Sequence, residues 1–338
     1  MSHNIAEQMQ GLYRQFGELP GIHIELHREL LAVRVENRQA QATVFLQGAQ
    51  LSHYQRRNQQ PTIWCSDLNE YSEGQALRGG IPVCWPWFGA LSDNVDSIQQ
   101  SVGHSQGPTH GFARSLPWQL QSIETGNGER TDLTLSLEIT ANTVPLWPYA
   151  CQLQLQITIG DELSYSLKVE NRDHRRFYFS NAFHSYFAVG DINQCAIIGL
   201  DQHTYIDTLD KWSQLRQYGK LSVNAEVDRI YRLHDDASTA LDSSTSNKTT
   251  IDIVDHAWQR VTSVSSSGNN SAVVWNPWVE KSKRLSHFAD NDYQHMLCVE
   301  IANTAAKSPA GETLAGSPVS LHPGELHIMS STVSSRAL

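Results

Sequence analysis

Residues 153–169 read LQLQITIGDELSYSLKV. Leu153, Leu155, Ile157 and Ile159 alternate with Gln154, Gln156 and Thr158, and after Gly160-Asp161 the alternation resumes at Leu163, Tyr165, Leu167 and Val169. A two-residue period puts every second side chain on one face of a strand, and the Gly-Asp step supplies turn chemistry between two such strands. The stretch therefore predicts a β-hairpin with one buried face. Immediately upstream, LTLSLEIT (133–140) repeats the pattern with Leu133, Leu135, Leu137 and Ile139.

Similar patterns recur at Val33 to Val35, Ala42 to Leu46, Val223 to Val227, Val261 to Val274 around Gly268-Asn269, Leu297 to Ile301, and Leu326 to Ile328. No long helical pattern separates them, which disfavours a parallel α/β sheet and predicts an all-β fold of antiparallel sheets packed face to face. The exception is at the start. Ile5, Met9, Leu12, Tyr13 and Phe16 are spaced as one face of a short helix that Pro20-Gly21 ends. The 338 residues leave room for two domains at about 150 residues each. The Ser/Thr-rich stretch ASTALDSSTSNKTT (237–250) could be a linker between them, but strands are predicted on both sides of it, so it reads as a solvated loop. The expected division is a helical extension over 1–29, one β domain over 30–332, and a tail over 333–338.

Lys and Arg number 25 against 35 Asp and Glu, a net charge of −10, which argues against nucleic acid or an anionic membrane as partner. No apolar run reaches the roughly 18 residues of a membrane span, and the opening MSHNIAEQMQGLYRQ has neither a basic leader nor an apolar core. A cytoplasmic location is expected. The five cysteines, Cys65, Cys84, Cys151, Cys195 and Cys298, form an odd set without a C-x-x-C pair and predict reduced thiols. The 15 histidines include no H-E-x-x-H, and G-x-S-x-G and phosphate-loop motifs are absent. No metal and no cofactor are expected from these spacings.

Five segments are dense in aromatic residues, Arg and His: RGGIPVCWPWFG (78–89), THGFAR (109–114), FHSYF (183–187), VVWNPWVEKSKR (273–284) and MLCVEIAN (296–303). In this order they resemble the hexose-6-phosphate mutarotases, or glucose-6-phosphate 1-epimerases, within the broader aldose 1-epimerase group, over about residues 30 to 330. The resemblance implies a large antiparallel β-supersandwich of the galactose mutarotase type. It implies His184 and Glu300 as the catalytic pair and Arg78, Arg114 and Asp228 as sugar-phosphate contacts. Thr109 stands where the family often has Gln and is the candidate to replace that amide's sugar contact. His110 either bonds a sugar hydroxyl or braces the loop that aims Arg114.

Read as residues alone, Glu300 suits an ordinary solvent-facing position opposite Leu297, Val299 and Ile301, and His184 suits a satisfied core histidine among Phe183, Tyr186 and Phe187. Trp85, Trp87, Trp275 and Trp278 are either core or pocket wall. With the resemblance, the chemistry is coherent. Interconverting the anomers of an aldose needs a base for the O1 proton and an acid for the ring oxygen O5. Glu is ordinarily ionised at neutral pH, and His can hold a proton there. Arg78 and Arg114 offer planar donors for a phosphate dianion, with Lys281, Lys283 and Arg284 adding to the field or forming a solvated basic turn. The expected partner is a small hexose phosphate, and the expected state is a monomer. A mutarotase of unphosphorylated aldoses and a non-catalytic sugar-phosphate binder on the same scaffold are the alternatives.

Overall fold

The computed structural model describes residues 3–104, 106–233, 248–308, 311 and 313–338. The predicted hairpin forms. Cys151–Ile159 pairs antiparallel with Leu163–Asn171, and along both strands buried residues alternate with partly exposed ones. The hairpin lies within a nine-stranded sheet. Its order is Leu221–Ser222, Cys195–Ile198, Thr249–Asp255, Arg260–Ser267, Leu326–Ala337, Leu163–Asn171, Cys151–Ile159, Arg130–Ile139 and Gln119–Gly126.

A second sheet has eight strands. Ser213–Arg216, Thr204–Asp207, Val227–Arg232, Ser271–Asn276, Met296–Asn303, Asn181–Phe183 and Val83–Cys84 follow in order, and Tyr186–Ala188 also pairs with Met296–Asn303. The sheets face each other across one apolar core. The Tyr165 ring meets Phe183 edge-on at 4.7 Å, and its hydroxyl lies 3.0 Å from Ser185 Oγ. A four-stranded N-terminal sheet joins the same core, and Tyr54 Oη donates to the Gly160 carbonyl at 2.9 Å. The fold is all-β and antiparallel, as expected.

The Gly268-Asn269 step carries the chain between sheets, because Arg260–Ser267 belongs to the nine-stranded sheet and Ser271–Asn276 to the eight-stranded one. Only glycine fits there. Gly268 has φ +73°, and a Cβ would lie 2.0 Å from the Ile328 carbonyl oxygen.

Four expectations need correction. Residues 22–27 are not a helical extension: Ile22–His27 is a strand paired with Leu30–Glu36, and the helix ends at Phe16. Residues 333–337 are not a tail, because Val333 to Ala337 pair with Val264 to Arg260. Val223 to Val227 is not one strand. Leu221–Ser222 and Val227–Arg232 lie in different sheets, and the chain between them changes sheet. Met296–Asn303 does not present alternate residues to solvent, since all eight are buried. It runs between two strand neighbours with both of its faces covered. Of the Ser/Thr-rich segment, residues 237–247 lie outside the described residues, and Thr249 and Thr250 begin a strand.

Candidate active site

Register builds the site. Phe183 pairs with Ile301 on one side of a break and Tyr186 with Cys298 on the other, so continuing one step sets His184 opposite Glu300. The His184 N–H leaves the ladder to donate to the Pro82 carbonyl at 3.0 Å. One row across the sheet holds Asp228, Trp275, Cys298 and Tyr186, and the next holds Val273, Glu300 and His184. Directly paired residues, and residues two apart on one strand, project to the same face. The two rows therefore bring the predicted pair together beside Asp228.

His184 Nδ1 lies 3.3 Å from Glu300 Oε1, yet it is not aligned as a hydrogen bond, and Nδ1 and Glu300 Oε2 are both buried without a partner. Unsatisfied polar atoms at this depth are costly, which suits a site completed by a ligand. Tyr186 stacks on the His184 ring at 4.8 Å with planes 7° apart, and Trp275 meets it edge-on. Both rings fix the imidazole in place.

Two loops add charge and donors. Arg78 Nη1 is 3.5 Å from the Tyr186 hydroxyl, and its Nε donates to the Ser286 carbonyl. Arg114 Nη2 donates to the Thr109 carbonyl at 2.7 Å. Thr109 is exposed and enters this arrangement through that backbone oxygen. His110 takes the left-handed φ of 65° beside Gly111 at 71°. A Cβ on Gly111 would meet the Trp85 carbonyl at 2.1 Å, so the turn requires glycine. His110 Nδ1 accepts from the Gly89 N–H at 3.1 Å, which leaves Nε2–H as the donor of a neutral ring. That ring lies 5.1 Å from His184. His110 is therefore both brace and wall.

The shifts run against the expected charge states. Burial pushes His184 well below the ordinary imidazole range, and the Arg114 and Arg78 guanidiniums act in the same direction. Burial and the Asp228 carboxylate push Glu300 well above the carboxylate range against the pull of Arg114. Both shifts favour the uncharged form, a protonated Glu300 beside a neutral His184. Burial likewise takes His110 down to about 3. It raises Asp228 to about 6 although Lys281 Nζ is 3.9 Å from Oδ2.

Other candidates fall outside. Trp85 and Trp87 are fully buried core residues, and Trp278 packs on Tyr293. Lys283 pairs with Glu280, and Arg284 donates to the Glu280 carbonyl. An open cavity of about 450 Å³, lined by His27, His53, Trp64 and Tyr71 among others, does not include the pair. Sequence reasoning missed the stacking of Tyr186 and the place of Cys298. Among the described residues, His184, Cys298 and Glu300 hold ligand-capable atoms within 4.8 Å of one another, the one such group found. The signal for Cys298 was its position two residues before Glu300, on the same face.

The two-sheet antiparallel fold is shared with solved mutarotase-like structures. The aldose 1-epimerase family model matches residues 32–317, and the chain belongs to that family; it is an isomerase acting on aldoses. A Salmonella typhimurium relative named "Putative glucose-6-phosphate 1-epimerase" is 31% identical over 285 residues, covering 84% of this chain and 87% of its own. A Cenchrus ciliaris protein of the same name is 29% identical, over 84% and 78%. The crystal structure of a "putative mutarotase" from Salmonella typhimurium matches with TM-score 0.79 at 25% identity over 95% of both chains. A galactose mutarotase-like protein from Clostridium acetobutylicum shares the fold at 14% identity, with TM-score 0.68 over 94% and 98%.

Proposed function

We propose that this epimerase interconverts the α and β anomers of a hexose 6-phosphate, glucose 6-phosphate foremost, through His184 and Glu300 and without metal or cofactor. The observation that carries the reading is the buried, incompletely bonded pair with two guanidiniums beside it. The names of the relatives point to the same substrate. The pair holds one proton and one vacancy, which is what the reaction needs. A phosphate dianion against Arg78 and Arg114 offsets two charges that hold His184 down but only one that holds Glu300 down, so the balance of the two shifts moves the proton toward His184. Glu300 then takes the O1 proton as His184 delivers one to O5. The C1–O5 bond breaks, and O1 becomes the aldehyde oxygen. Rotation about C1–C2 presents the other carbonyl face, and the reverse transfers close the ring and restore both protons. Asp228, His110 and the Thr109 backbone complete the sugar contacts.

No helix among the described residues is long and apolar enough to cross a membrane, and the reading expects a cytoplasmic monomer. Anomer-exchange NMR on glucose 6-phosphate, with and without the protein, tests the function against the measurable spontaneous rate. Equal acceleration of free glucose would favour an epimerase of unphosphorylated aldoses. No acceleration of either sugar, with sugar phosphate still bound, would leave a binding protein.

A further inference from the structure

We propose that His184, Cys298 and Glu300 form a capture site for a soft divalent cation, zinc above all, which shuts the enzyme by occupying the groups its chemistry uses. The inhibitory consequence rests on the function proposed above; the binding does not. Three observations carry it. The donor set combines an imidazole, a thiol and a carboxylate, a mixture that suits zinc and not magnesium or calcium. The donor atoms already lie within 4.8 Å of one another, and His184 and Glu300 are at 3.3 Å. About 3.4–3.7 Å is what bond lengths of about 2.0–2.3 Å give around tetrahedral zinc, so small side-chain rotations suffice. Finally, Nδ1 of His184 and Oε2 of Glu300 are buried without partners.

Cys298 and Glu300 stand two apart on one strand and His184 faces them from the next, so the scaffold preorganises all three donors. Three protein ligands leave a fourth position open, toward the sugar site. His184 is the most exposed of the three, at 8% against 1% for Glu300 and 0% for Cys298, so the ion enters by the path the sugar takes. Binding replaces the thiol and carboxyl protons with metal–sulfur and metal–oxygen bonds, and those protons leave to solvent. Arg78 and Arg114 oppose the ion, while the two ligand anions and Asp228 compensate them. A bound cation occupies both lone pairs that must exchange protons with O1 and O5, so it competes with sugar.

The test uses the full chain after treatment with EDTA. Cobalt(II) should give a thiolate-to-metal charge-transfer band, and zinc should displace it at one ion per chain. Cys298→Ser and Cys298→Ala should each abolish the band and weaken zinc binding at least about 10-fold, while metal-free epimerase activity stays within about threefold of the parent. Zinc should inhibit competitively with glucose 6-phosphate, EDTA should restore activity, and magnesium should do neither. The site is overturned if zinc binds equally to the parent and both variants, which would place it on surface histidines, or if no thiolate band forms. Binding with the band but without inhibition, or loss of activity with EDTA that zinc restores, overturns the inhibitory role. If the metal-free protein has no epimerase activity, the functional reading fails, and the band with its loss in the Cys298 variants still decides the site.

Discussion

In the proposed chemistry Glu300 and His184 form a pair that burial pushes toward their uncharged forms. Replacing Glu300 by Gln keeps the shape and removes the titratable group. Glu300→Gln and His184→Asn should each lower kcat by roughly 10² to 10⁴ with unchanged circular dichroism, the usual contribution of one proton-transfer group. The double variant should be scarcely worse than either single one, since the pair works as a unit. Near-normal turnover in a single variant would remove that residue from the mechanism. The direction of the His184 shift is itself measurable. His184 is depressed by burial first and by neighbouring positive charge second, so in the free protein its ring should remain neutral as pH falls through about 6.5, the ordinary imidazole value. Saturation with 1,5-anhydroglucitol 6-phosphate, which lacks O1 and cannot react, should shift the ¹⁵N resonances of this imidazole toward the protonated form. A free-protein titration near 6.5, or no change on adding the ligand, would remove the phosphate-driven proton transfer from the account.

At the scale of elements, strands supply the proposed reacting pair and loops supply charge. Arg114 sits on the short turn Ala113–Ser115, held by its bond to the Thr109 carbonyl, and Arg78 sits on the loop that hydrogen bonds to Asn69 and Ser286. These contacts use part of each guanidinium and leave other donors for a ligand. Removing one leaves a phosphate dianion under-compensated. Arg78→Ala and Arg114→Ala should each reduce kcat/KM for glucose 6-phosphate by at least about 30-fold, or about 2 kcal/mol, while the weak activity on free glucose changes much less. Arg114→Lys should recover only part of the loss, because a point charge replaces a planar fork. Equal losses on both sugars would mean that the arginines organise the pocket without reading phosphate.

For the whole molecule, the C-terminal strand lies at the centre of a sheet. The last strand, Leu326–Ala337, lies between Arg260–Ser267 and Leu163–Asn171 in the middle of the nine-stranded sheet. The first helix packs on the core at Phe16 and, partly, at Met9 and Leu12, and Tyr13 Oη bonds the Ile24 carbonyl. Deleting residues 1–16 should lower Tm by several degrees and preserve activity. Deleting residues 326–338 should abolish cooperative unfolding, because two strand ladders and the buried Met329 and Val333 are lost together. Thermal melts followed by circular dichroism measure both. A cooperative melt in the C-terminal deletion would refute the central role of that strand.

Period-two alternation by itself determined that the chain is built of antiparallel strands, because a half-buried strand must alternate and its turn must use residues such as Gly160 and Asp161. The family resemblance carried by the five dense segments determined which side chains to suspect, including His184, Glu300, Arg78 and Arg114. Tertiary structure alone decided which strands share a sheet. Ladder bonds join backbone groups that carry no side-chain label, so nothing in the sequence tells that Arg260–Ser267 and Ser271–Asn276 part company at Gly268. It also decided that both faces of Met296–Asn303 are covered, a matter of what packs on it from distant parts of the chain. That covering makes Cys298 a neighbour of the pair. It also pushes His184 and Glu300 toward their uncharged forms, since the cost of charge depends on the water that other segments have displaced.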